Sequence, residues 1–162
     1  MRSSYLIVLL LFFPLAVLQL TIIPYLSFRQ ITPDLIIILL VFFTLQTGQI
    51  HGTILGFVFG LFFDLLSGGI LGSAMFAYTA SGFICGYFFN ENKIDQNVRS
   101  FSFLAIVFVV ASFESVIYSF FSTSDISTNL VIIFFEHGLL PGIYTAVVAL
   151  PIVVFQPRKL LA

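Results

Sequence analysis

Glycine recurs at every fourth residue from Gly48 to Gly60, and Asp64 and Gly68 continue the step through the stretch GQIHGTILGFVFGLFFDLLSGGILG, residues 48–72. Almost everything between these positions is apolar. In water such a helix would be poor, because each glycine costs about 1 kcal/mol relative to alanine. Among lipids the same step opens a groove where a neighbouring backbone can lie close, the small-xxx-small mode of packing. Four residues advance a helix by about 400°, so each glycine is displaced by about 40° from the last. The stripe is therefore an inclined i±4 ridge, suited to a partner crossing steeply near −40°. The segment is expected to be the hub of a helix bundle, with Asp64 reaching a polar cluster at one end. Gly48, Gly52, Gly56 and Gly60 carry the packing there, and Gly72, Gly82 and Gly86 extend it into the next segment.

Composition identifies the solvent. Only 8% of the 162 residues are charged, against about 25% in soluble domains. Sixty per cent are hydrophobic, 22 are phenylalanine, and the mean hydropathy is +1.16. The chain reads as an all-α polytopic membrane protein, a single integral membrane domain over residues 1–162. A net charge of −1 gives no attraction to nucleic acid, and the lone Cys85 allows no internal disulfide.

About six spans are expected, over residues 4–23, 33–47, 48–66, 70–89, 100–121 and 140–155. The first has a hydrophobic part too long for a typical cleaved leader and no small-x-small cleavage site after it, so it is expected to be an uncleaved span, with Pro14 as a kink and Pro24 as its stop. The second opens with Thr32 as N-cap, Pro33 at the first helical position and Asp34 in the first turn. Asn90 to Arg99 is the most hydrophilic loop. Residues 130–139 read either as a short interfacial piece before the last span or as part of one long kinked helix. With both termini cytoplasmic, Arg2, Lys93, Arg99, Arg158 and Lys159 lie inside and only Arg29 outside, as the positive-inside rule requires.

That orientation gathers Asp34, Asp64, Glu114, Asp125 and Glu136 in the outer half of the membrane or at its edge, with His137 beside Glu136. Asp34, Asp64, Glu114, Tyr118, Glu136 and His137 are the candidates for binding a partner or ligand. The ordinary reading of Asp34, Asp64 and Asp125 is solvation at the interface. Glu114 is deeper, and a charge at bilayer depth costs several kcal/mol unless paired, protonated or facing a wet cavity. Ala111, Ser112, Ser115, Tyr118, Ser119 and Ser122 share its arc of about 160° on the helix, so this face looks into the bundle or a polar cavity. No catalytic constellation is present. His51 and His137 fall on opposite sides, and adjacent Glu136 and His137 lack zinc-site spacing, so no metal or cofactor is expected.

The run TPDLIIILLVFF followed by GQIHGTILGFVFGLFFDLLSGGILGSAMFAYTASGFICGYF resembles the MreD family of bacterial rod-shape proteins. The resemblance rests on Pro33-Asp34-Leu35; Gly52, Gly56-Phe57, Gly60-Leu61 and Asp64; Leu71-Gly72 with Ala74-Met75; and Gly86-Tyr87. It covers residues 32–89. It implies a non-enzymatic component of the cell-elongation machinery in the cytoplasmic membrane. The implied partners are the bitopic protein MreC and, less directly, an MreB-like filament, a RodA-like glycosyltransferase and a penicillin-binding transpeptidase. It also implies a six-helix bundle similar to the S-components of energy-coupling-factor vitamin transporters. Those dock through small-residue motifs such as Ala-x-x-x-Ala in their first helix, whereas the first span here has Ala16 alone among bulky residues.

Two functions therefore compete. One is a membrane scaffold whose ridge and acidic cluster are packing and docking surfaces. The other is a vitamin-type binding subunit whose polar lining is Asp34, Asp64, Glu114 and Glu136. A handler of lipid-linked wall precursors is a third, weaker possibility.

Overall fold

A computed structural model of the chain describes residues 2–27, 31–99, 101–122, 135 and 138–155. The α-helices are α1 (Arg2–Thr21), α2 (Leu35–Thr47), α3 (Gln49–Ser67), α4 (Ser73–Cys85), α5 (Ile94–Arg99), α6 (Phe101–Ser122) and α7 (Leu140–Phe155). Short 3₁₀ turns occupy Ile23–Leu26, Gly86–Phe88 and Glu91–Lys93. No β-strand occurs among the described residues. Among the described residues, two helical stretches, Gln49–Ser67 and Phe101–Phe121, are long and apolar enough to cross a membrane.

The centre of the bundle is α2, which corrects the expectation that the glycine-rich helix is the hub. Ile36, Ile37, Leu40, Val41 and Thr44 are wholly buried, and Ile38 and Leu45 nearly so. Three consecutive buried residues point in three directions, so neighbours must surround the helix. Those neighbours include α1, α3, α4, α6 and α7. The physical reason lies in the side chains. Helix α2 is apolar all round and can be enclosed, whereas α3 leaves Ile50, Ile54, Phe57 and Leu65 on the outside.

The ridge on α3 packs against α4. A Cβ at Gly56 would overlap the carbonyl of Tyr78, and one at Gly60 would overlap Ala74 and Met75 backbone. A Cβ at Gly82 would overlap the Gly52 carbonyl, and one at Gly86 the side chain of Gln49. These pairings run antiparallel from Gln49–Gly86 to Gly60–Ala74. Close contact lasts from Gln49 to Gly60, about 16 Å at 1.5 Å per residue. Helix α4 presents its own four-residue step in reverse: Gly86, Gly82, Tyr78 and Ala74. Gly52 also faces α2, where Thr44 fills the space a Cβ would need.

Gly48 and Gly72 do a different job. Gly48 is the single-residue hinge between α2 and α3 at φ 96° and ψ 174°, a region open essentially to glycine alone. Gly72 sits before α4 at φ 102°, with open space for 4 Å around the place a Cβ would take. Both are conformational glycines, which corrects their place in the packing set.

Helix boundaries differ from expectation at three places. Asp34, rather than Thr32, is the N-cap of α2, which starts at Leu35. Helix α4 is 13 residues long and tightens into a 3₁₀ turn at Gly86. The hydrophilic loop contains α5, anchored by buried Val98. Within α7, Gly142 lies against Ser112 and the Phe108 carbonyl of α6, so it is a close packing point between two helices. Of the ambiguous stretch 130–139, residues 130–134, 136 and 137 lie outside the described residues.

Candidate functional site

Helix α2 begins inside the bundle, where its first N–H groups need acceptors. Four side chains, from three helices and the cap, supply the polar connections. Asp34 Oδ1 accepts from the N–H of Ile36 at 2.8 Å and of Ile37 at 3.1 Å. Gln19 of α1 accepts from Leu35 N through Oε1 and donates from Nε2 to the Pro33 carbonyl, both at 2.9 Å. The Asp34 N–H donates to Thr145 Oγ1 of α7 at 3.0 Å. Tyr78 of α4 donates its hydroxyl to the second carboxylate oxygen, Asp34 Oδ2, at 2.7 Å. Asp34 thus joins α2, α4 and α7 directly, with α1 clamped alongside by Gln19.

Beside this junction lies a cavity of about 200 Å³ bordered by Gln19, Thr32, Asp34, Phe63, Tyr78, Glu114, Ser115 and Tyr118. Glu114 projects from α6 and is only 5% exposed. It follows Phe103, Ile106, Val107, Val110 and Ala111 along the buried face of that helix, so helical periodicity alone delivers it to the interior. Among the described residues its carboxylate receives one hydrogen bond, a long one from Ser115 Oγ at 3.3 Å.

Asp64 belongs to another structure. It sits in the last turn of α3 and its carboxylate closes the start of α4. Oδ1 accepts from Ala74 N at 3.1 Å and Ser73 Oγ at 3.3 Å, and Oδ2 from Gly72 N at 2.8 Å and Met75 N at 3.1 Å. This is an N-cap supplied from the preceding helix, favoured by the positive end of α4.

The fold therefore brings Asp34, Glu114 and Tyr118 together at one cavity and leaves Asp64 at the α3–α4 turn. Glu136 and His137 lie outside the described residues. His51 of α3 reaches back across Gly48, its Nδ1 lying 2.9 Å from the carbonyl of Thr47, the last residue of α2. Three residues of the site are absent from the candidates read in the sequence: Gln19, Tyr78 and Thr145. Each carries a signal. Gln19 is the one amide in the first apolar run, Thr145 interrupts the last one, and Tyr78 occupies the four-residue step shared by Ala74 and Gly82.

No curated protein and no solved structure matches the chain. The family model for rod shape-determining protein MreD matches residues 1–161. That span takes in the glycine seam, the Asp64 cap and the Asp34 junction together, and the chain belongs to the MreD family.

Proposed function

We propose that this protein is a non-enzymatic scaffold of the bacterial elongation machinery that binds an MreC-like bitopic protein and so helps organise peptidoglycan synthesis. The observation that carries the reading is the family match over residues 1–161; the family acts in rod-shape determination. The MreB-like filament, the RodA-like glycosyltransferase and the penicillin-binding transpeptidase are reached indirectly in this scheme.

The reading includes six spans in the cytoplasmic membrane with both termini inside. Its support is the five-to-one distribution of basic residues and an outer surface of large apolar side chains. Leu10, Ile50, Phe101 and Val154 are each more than 70% exposed, which suits lipid far better than water. The junction lies at the start of α2, about 20 Å from its other end for 13 residues. In a hydrocarbon core of about 30 Å that depth corresponds to the outer half.

The cavity is what favours the competing idea of a solute-binding subunit. At about 200 Å³ it falls below the roughly 300–1,000 Å³ of pockets that enclose drug-sized ligands. It offers less room than a vitamin-sized molecule asks for. Isolation of the protein from native membrane decides between the two functions. Co-isolation of a bitopic coiled-coil protein is expected, whereas a stoichiometric vitamin seen by native mass spectrometry would overturn the scaffold reading.

A further inference from the structure

We propose that the cavity between α1, α2, α4 and α6 binds a primary ammonium group between the carboxylates of Asp34 and Glu114. Two acidic side chains border the same space. Asp34 is already tied by its cap and by Tyr78, but a carboxylate offers about four acceptor positions. Among the described residues, Asp34 Oδ2 accepts only from the Tyr78 hydroxyl. Glu114 is the more demanding of the two. It is 5% exposed, faces the cavity, and among the described residues has only the long bond from Ser115. An ionised carboxylate so placed is costly unless a cation, a proton or water meets it, and a cation is the occupant that both carboxylates bordering this space can hold.

The only lysine or arginine in the surrounding helices is Arg2, at the first residue of α1 and about 26 Å along that helix from Gln19 at the cavity. The others in the chain are Arg29, Lys93, Arg99, Arg158 and Lys159, and none of them lies in α2, α3, α4, α6 or α7. The lining then selects among cations. A hard metal ion asks for six or more oxygen ligands, and among the described residues no group of three His, Cys, Asp or Glu side chains gathers. A primary ammonium has three N–H donors, which two carboxylates can receive. Its stem would lie against the rings of Phe63, Tyr78 and Tyr118, which favour a cation within about 6 Å. The volume limits the bound part to a few heavy atoms, as in a free small amine or an aminoethyl lipid headgroup. Such binding is independent of the scaffold role.

The test uses the full chain purified in detergent and a thermal melt with methylammonium chloride. A rise in Tm of about 3 °C or more is expected at saturation. Sodium chloride and tetramethylammonium chloride at the same concentration should leave Tm unchanged, the latter because it has no N–H. Glu114→Gln, which keeps the shape and removes the charge, should abolish the rise, and Ser102→Ala, at an exposed position of the same helix, should retain it. If Glu114→Gln does not fold, Asp34→Asn keeps the capping oxygen and should abolish the rise in its place. Equal effects of all three salts, or a rise that survives both substitutions, overturn the proposal. So does a rise that appears only in Arg29→Gln, which would mean that the chain fills the site itself. Nanodiscs distinguish the sources. Stabilisation by phosphatidylethanolamine over phosphatidylcholine, lost in Glu114→Gln, identifies a lipid headgroup; stabilisation by methylammonium alone identifies a free amine.

Discussion

Along the seam between α3 and α4, Gly56 and Gly60 leave no side chain between the two backbones, and the carbonyl of Tyr78 occupies the place of a Cβ. At the start of α2 the helices meet through side chains instead: Asp34, Gln19, Tyr78 and Thr145 bridge four elements by hydrogen bonds of 2.7 to 3.1 Å. The first contact gains its strength from close backbone approach and is intolerant of added volume. The second tolerates volume, since a cavity of about 200 Å³ adjoins it, and is intolerant of lost acceptors. Tyr78 belongs to both, its backbone in the seam and its hydroxyl in the junction. The rigid seam thus positions one wall of the polar site.

Substitutions can break this contrast. The largest effect is expected from Gly56→Leu or Gly60→Leu, which meets backbone that cannot rotate away. Overpacking costs about 1–3 kcal/mol even where side chains can adjust, so folded protein in the membrane fraction should be lost. Gly72→Leu has open space but is strained by its φ of 102°; it should cost about 2 kcal/mol and still accumulate, and equal loss at both positions would end the distinction between packing and conformational glycines.

Next comes Asp64→Ala, which strands the N–H groups of Gly72, Ala74 and Met75. About 2–3 kcal/mol is expected, read from unfolding of the micellar protein by increasing SDS fraction. Asp64→Asn should recover part of it, because one acceptor oxygen remains. Gly48→Ala forces a side chain into φ 96° and should cost about 2 kcal/mol in the same assay, although the nearest atoms, those of Phe89, leave ordinary contact distance. The smallest change is Tyr78→Phe. It removes one hydrogen bond to Asp34 and leaves the seam untouched, for about 1 kcal/mol. A loss as large as that of Gly56→Leu would show that seam and junction form one unit.

The seam was legible because a helix repeats its neighbours locally. Gly52, Gly56 and Gly60 declare one face by spacing, and Gly82 and Gly86 declare its mate. The register of the pair was not legible: which glycine meets which backbone, Gly56 against Tyr78 and Gly82 against Gly52, depends on the turn that joins the two helices. The junction was half legible. Asp34 and Glu114 are conspicuous as acids in apolar runs, while Gln19 and Thr145 become partners through contacts 16 and 111 residues away in sequence. Asp64 shows the limit most plainly. Its spacing points to the polar cluster, but the turn at Gly68–Gly72 folds the start of α4 back onto its carboxylate first.

What the sequence by itself determined is the helical class, the apolar solvent its surface suits, and the two glycine-stepped faces, because each depends on composition or on residues within a turn or two. Which helix stands at the centre, which acid caps and which faces a cavity were decided only by the tertiary structure. Those properties depend on partners far along the chain, and a buried carboxylate takes whichever N–H or hydroxyl the packing brings within about 3 Å.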